Sequence, residues 1–120
     1  MSDTREVWER YVKSWKVESE AEKRALLADA AVPECVYRDP LMVASGQDEL
    51  VAYMRAFHQQ IPGGHFVTDE FMTHHGRSIA RWRMLDGEGG LQGTGTSYGE
   101  YDEHGKLVAM TGFFEVPEQG

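Results

Sequence analysis

Cys35-Val36-Tyr37-Arg38-Asp39-Pro40 holds most of what this chain says about itself. Residues 35–38 are rich in β-compatible types and predict a short strand. The strand delivers a carboxylate to its own end, and Pro40 stops it because proline brings no N–H to a ladder. From these residues alone, two readings of Asp39 stay open. Aimed into a closed apolar interior, its carboxylate is poorly solvated and becomes a general base. Aimed at water, it is an Asp-Pro turn residue that accepts from nearby backbone amides.

Upstream, Val7, Trp8, Tyr11, Val12 and Trp15 recur at helical spacing and predict an amphipathic helix from about Asp3 to Trp15. Ser19-Glu20-Ala21-Glu22 is a capping box for a second helix ending near Ala30 or Ala31, with Pro33 enforcing the stop. Downstream, Ser45-Gly46-Gln47-Asp48 opens a third helix with the stripe Leu50, Met54, Phe57, His58 and Ile61, and Pro62-Gly63-Gly64 ends it. The rest has strand character. Residues 65–70 alternate weakly, 74–85 read as one long strand, 86–90 as a turn and 91–101 as a strand. Residues 102–105 form a tight hairpin, 106–116 a last strand and 117–120 a frayed tail. Three helices followed by an antiparallel meander is the α+β pattern, with helices packed on one sheet face.

On the strand at 91–101, Gly93, Gly95, Ser97 and Gly99 share one face by period-2 alternation. Small residues in a row leave a hollow, so this face reads as the floor of a cavity. The other reading is a strand whose glycines permit strong curvature.

The 120 residues fit one domain over 1–120, and a 41% hydrophobic content suffices for a core at that size. A net charge of −8 repels phosphate backbones and anionic lipid, so neither nucleic acid nor membrane is an expected partner. No apolar run is long enough for a bilayer, and residues 1–6 hold no cationic segment leading into an apolar run. The single cysteine, Cys35, excludes an internal disulfide and fits a reducing compartment, so the expected location is cytoplasmic. Among the histidines, His58 lies at the end of the third helix's stripe and is a candidate second acid or base. His74-His75 on a regular strand would put one ring on each face and could not chelate one ion. Without His-x-His or Glu-x-x-His spacing, no metal is expected, and no phosphate loop, dinucleotide fingerprint or nucleophile elbow is present.

The order Arg10-Tyr11, Tyr37-Arg38-Asp39-Pro40, Gly46, Arg81-Trp82 and Tyr101-Asp102-Glu103-His104-Gly105-Lys106-Leu107 resembles the nuclear transport factor 2-like superfamily, in its SnoaL-like and ketosteroid-isomerase-like branch. The resemblance runs from Val7 to Glu115. It implies a cone-shaped barrel: three N-terminal helices against a strongly curved antiparallel or mixed sheet, an apolar cavity inside, and a homodimer through the convex face. It also implies chemistry without a cofactor. Asp39 matches the isomerase base, and Tyr11 the phenol that donates to an enolate oxygen. Ser97 falls where isomerases place a protonated aspartate, from which it departs. Phe114 matches a large aromatic of the cavity wall, with Trp82 near another. Trp15, Tyr37, Met54, Phe57, His58 and Gly95 complete the expected substrate wall. With Trp82 inward, Arg81 and Arg83 face outward, toward dimer contacts or Glu100. The expected reaction is proton transfer next to the carbonyl of a small apolar compound, in isomerisation, cyclisation or dehydration. The alternative is a binding or accessory domain of the same fold, with Asp39 a turn residue and Tyr11 a wall.

Overall fold

The computed structural model describes residues 4–115. Helix α1 (Thr4–Lys16) buries Val7, Trp8, Tyr11 and Trp15, the expected stripe. Helix α2 (Glu20–Ala30) starts where the capping box placed it, with the Ser19 hydroxyl oxygen accepting the Glu22 N–H at 3.1 Å. Helix α3 (Gly46–Gln60) buries Leu50, Val51 and Met54. Gly46 takes φ +82°, a conformation that side chains strain to adopt, which is why glycine opens this helix.

Six strands follow or interleave: β1 (Ala31–Arg38), β2 (Val43–Ser45), β3 (His65–His74), β4 (Arg77–Leu85), β5 (Leu91–Tyr101) and β6 (Leu107–Phe113). They form one sheet in the order β2-β1-β6-β5-β4-β3. Only β1 and β6 run parallel, so the sheet is mixed. The two edge strands, β2 and β3, do not pair with each other, so the sheet is curved but open rather than closed into a barrel. Register shifts at Thr68/Glu70, Met84/Leu85 and Glu100/Tyr101 add the extra residues that bend it.

Several elements differ from the sequence reading. Strand β1 begins at Ala31, four residues early, and Pro33 lies inside it rather than after a helix end. It is tolerated because the pairing with β6 is irregular between Ala31 and Val36, where no ladder bond is required of it. Strand β2 was not expected; it pairs antiparallel with the end of β1 and frames Asp39. The long strand at 74–85 is instead a hairpin, turned at His75 (φ 46°) and Gly76 (φ 76°). The tail at 117–120 lies outside the described residues.

The helices cover the concave face around Trp8, Leu27, Leu50, Met54, Leu107 and Met110. Helix α1 packs on α2 and β3, and α3 on β1 and β2. The outer face presents Met72, Ile79 and Phe113 to solvent. Arg83 also lies outside, but it pairs with Asp69 at 2.9 Å, not with Glu100. None of the described helices is long and apolar enough to cross a membrane.

Candidate functional site

Strand alternation carries Cys35, Tyr37 and Asp39 to the inner face of β1, while Arg38 points out. The half-buried Asp39 carboxylate does two jobs at once. Its Oδ1 accepts the Leu41 and Met42 amides at 2.8 and 3.1 Å, the first two N–H groups available after Pro40. Its Oδ2 accepts two phenols, Tyr37 and Tyr53, each at 2.7 Å. One oxygen thus serves the turn and the other is held by two phenols, while Asp39 is not among the residues that line the cavity described below. Together these four donors occupy the roughly four lone-pair sites of a carboxylate.

Tyr53 was missing from the sequence reading. It lies three residues after Leu50 and four before Phe57, so the stripe of α3 already had a place for it. Burial pushes the Tyr37 and Tyr53 phenols far above their ordinary range, and the Asp39 carboxylate adds to it. Tyr11, 4% exposed, is raised chiefly by burial; a bond to Trp15 opposes the rise, and Cys35, Asp39 and Tyr53 add to it in smaller measure. All three are neutral phenols, able to donate, at neutral pH.

Next to Asp39 the sheet is bare. A Cβ built on Gly112 would lie 3.6 Å from Tyr37 Oη, 3.7 Å from Asp39 Cβ and 3.8 Å from Ser97 Oγ. Two of the three expected chemical positions thus converge on one point with Tyr37. Tyr11 faces the same interior.

The expected hollow over the glycines is largely filled. Trp82, paired with Gly95 across β4 and β5, lays its indole on that glycine so closely that a Cβ there would stand 2.3 Å from Cζ2. The indole N–H donates to Ser97 Oγ at 2.9 Å. Gly99 is likewise covered, by Trp8, Leu107 and Ser78. At the centre Trp15 touches Tyr37, Tyr53, Phe57 and Phe66 with ring centroids 5.5–5.7 Å apart, and Phe66 meets Trp82 at 5.0 Å. What remains is a cavity of about 40 Å³, lined by Trp8, Tyr11, Val12, Trp15, Tyr37, Phe66, Thr68, Trp82 and Ser97. At about 10–15 Å³ per water, that holds about three waters, not a steroid-sized molecule. Tyr11, Trp15, Tyr37, Trp82 and Ser97 line it as expected; Trp8, Val12, Phe66 and Thr68 were not foreseen.

Other expected wall residues lie elsewhere. Met54 is fully buried in the core and does not line the cavity. Phe57 stacks on Phe66 behind Trp15, and Phe114 leans on Trp82 at 6.3 Å, just past the end of β6. His58 turns away altogether. Its Nδ1 lies 3.4 Å from Lys23 Nζ and its Nε2 3.1 Å from the Gly64 carbonyl. Since the ammonium can only donate, Nδ1 accepts and Nε2–H donates. His74 and His75 are not separated by a sheet, because His75 is in the turn; their Nδ1 atoms stand 3.2 Å apart. Among the described residues no three metal-ligating side chains converge.

A family model described as a SnoaL-like domain matches residues 8–120. No curated protein matches the chain. Among solved structures, a SnoaL-like family protein from Agrobacterium tumefaciens, proposed to be an isomerase, superposes with a TM-score of 0.86 at 26% identity, covering 97% of this chain and all of that one. A Jannaschia protein proposed to be a SnoaL-like polyketide cyclase gives 0.76 at 11% identity, over 93% of this chain and 85% of that one. A nuclear transport factor 2-like protein of unknown function from Cytophaga hutchinsonii gives 0.72 at 9% identity, over 96% and 92%. The last two are evidence of fold alone. The cap of α2, the inward Asp39 and the open mixed sheet thus meet a family match over nearly the whole length: the chain belongs to the SnoaL-like family of the nuclear transport factor 2-like superfamily.

Proposed function

We propose that this protein moves a proton next to the carbonyl of a small, neutral, largely apolar compound, as an isomerase or cyclase of the SnoaL-like type using its own side chains. The observation that carries this reading is that Tyr37 Oη, Asp39 Cβ and Ser97 Oγ all lie around the side-chain-free face of Gly112, with Tyr37 bonded to the Asp39 carboxylate. Asp39 Oδ2 takes the proton. Because its acceptor sites are full, one phenol must yield first, and Tyr53, the half-buried one, is nearer to solvent than Tyr37. Tyr37 stays bonded and holds the carboxylate in place. The neutral Tyr11 phenol and the Ser97 hydroxyl are the donors for the oxyanion that develops on the carbonyl. The cavity's lining holds no charged side chain, Asp39 included, which favours a neutral substrate and leaves the base to be reached past Tyr37 and Tyr53, the phenols bonded to it. Its size admits only the reacting end of the molecule unless the rings around Trp15 part.

The test is exchange of the α-hydrogens of cyclohexanone in heavy water, followed by NMR. The protein is expected to accelerate exchange over buffer, and Asp39→Asn to lower the acceleration about 10²- to 10⁴-fold. No acceleration by the native protein overturns the proposal. A second reading, a non-catalytic binding domain, is supported by the small cavity and the complete hydrogen bonding of Asp39. On that reading Asp39→Asn lowers stability and changes no rate.

A further inference from the structure

Among the described residues the Ser97 hydroxyl makes a single hydrogen bond, the one it accepts from the Trp82 indole N–H at 2.9 Å. An indole N–H only donates, while a serine hydroxyl has an oxygen that accepts and one hydrogen to give. The oxygen is therefore engaged and the hydrogen is unspent. Ser97 Oγ lies 3.8 Å from the point where a Cβ on Gly112 would stand, the point that Tyr37 Oη and Asp39 Cβ also approach. The indole is itself confined. Trp82 stands opposite Gly95 across β4 and β5, and Ser97 is the next residue on that face of β5. The ring lies on Gly95, where a Cβ would come within 2.3 Å of Cζ2. Phe66 meets it edge-on at 5.0 Å, and Phe114 stands at 6.3 Å. Held between these neighbours, the N–H is aimed at the diagonal cross-strand residue, Ser97. A hydroxyl whose oxygen already accepts is the stronger donor, because hydrogen bonds in a chain polarise one another.

We propose that Trp82 is a positioning residue that acts through Ser97: its indole N–H, aimed by the bare face of Gly95, holds the Ser97 oxygen and leaves the Ser97 O–H to the carbonyl oxygen of a bound ketone. The role in catalysis rests on the functional reading above, in which Ser97 donates to the developing oxyanion. The chain from Trp82 through Ser97 to a ketone oxygen has a signature of its own, independent of turnover.

The experiment titrates the full chain with cyclohexanone and follows the indole ¹H–¹⁵N signal of Trp82, assigned by its through-space contact with the Gly95 α-protons. Donation by Ser97 to the ketone strengthens the bond that Ser97 accepts, so the Trp82 N–H proton is expected to move downfield and saturate. In Ser97→Ala the indole remains but the link is cut, and the ketone-induced shift is expected to vanish. In the exchange assay, Trp82→Phe, which keeps an apolar ring and removes the N–H, is expected to lower the rate about tenfold, the worth of one hydrogen bond. Added to Ser97→Ala it is expected to cost nothing further, since both changes break one chain. An unmoved Trp82 signal overturns the proposal, and so does an equal shift in Ser97→Ala, which would mean that the ring senses the ketone directly. Exchange with an unmoved signal sinks the Trp82 role and leaves the functional reading standing. A saturable, Ser97-dependent shift with no exchange by the native protein sinks the catalytic reading, and the pair then positions a bound ketone without turning it over.

Discussion

Gly95 and Gly112 both face the interior of the sheet and differ in what a methyl group would meet. At Gly95 it would stand 2.3 Å from Trp82 Cζ2 and 2.7 Å from the Phe113 carbonyl, so ring or backbone must shift. Gly95→Ala is expected to cost about 1–3 kcal/mol of stability in a urea titration. At Gly112 the nearest atoms lie 3.6–3.8 Å away, ordinary contact. Gly112→Ala is expected to keep stability or raise it by about 0.4–1 kcal/mol. It should nevertheless abolish ketone exchange, because its methyl takes the space between Tyr37, Asp39 and Ser97. Much of this was legible residue by residue: Asp39, Tyr11, Ser97 and Trp82 all face the interior. What could not be read was the state of Asp39, since a strand ending in Asp-Pro fits either role, and here each carboxylate oxygen takes one.

At the scale of elements, Lys23 joins all three helices. Its ammonium donates to the carbonyls of Ser14 and Val17, at and just past the last turn of α1, and to His58 Nδ1 on α3. A cation there complements the negative end of α1. Burial lowers the Lys23 pKa against an opposing pull from Glu18, and among the described residues no carboxylate hydrogen-bonds it, so the carbonyls supply its bonded acceptors. Lys23→Met keeps the stem and leaves those acceptors unpaired, with an expected loss of about 1–3 kcal/mol by chemical denaturation. In the sequence this lysine looks like any charged residue of a surface helix. The cap at Ser19 was legible because its partner is three residues away. The turn at His75-Gly76 was not: two-residue hairpins with both φ angles positive favour Asn-Gly or Asp-Gly, and His-Gly hides the signal. Strand β2, three residues long, is too short for alternation to register.

For the whole molecule, the buried phenols set the alkaline limit. Burial raises the folded-state pKa of Tyr11 and Tyr37 above the unfolded value of 10.0, and lifts Tyr101 to about 12. Above pH 10 the unfolded chain releases these protons while the folded one keeps them, so the stability they contribute is full below pH 10 and is lost as pH rises. Lys23 acts oppositely up to its unfolded value of 10.5, because its folded pKa is lowered. The fall is therefore expected to be steepest above pH 10.5, at up to about 1.4 kcal/mol per pH unit for each phenol. Urea titrations between pH 9 and 12 check it, and Tyr37→Phe should flatten the slope by one group.

By itself the sequence determined the α+β order, the three helices, the long glycine-bearing strand and the Asp-Pro turn that ends the first strand, because each depends on neighbours within a turn or a strand repeat. Only the tertiary structure decided that the cone is nearly full. Trp15, Tyr37, Tyr53, Phe66 and Trp82 come from five different elements, and their meeting around one centre is set by sheet curvature and helix placement. No local period encodes that, so the size of the cavity, and with it the size of any ligand, belongs to the packing.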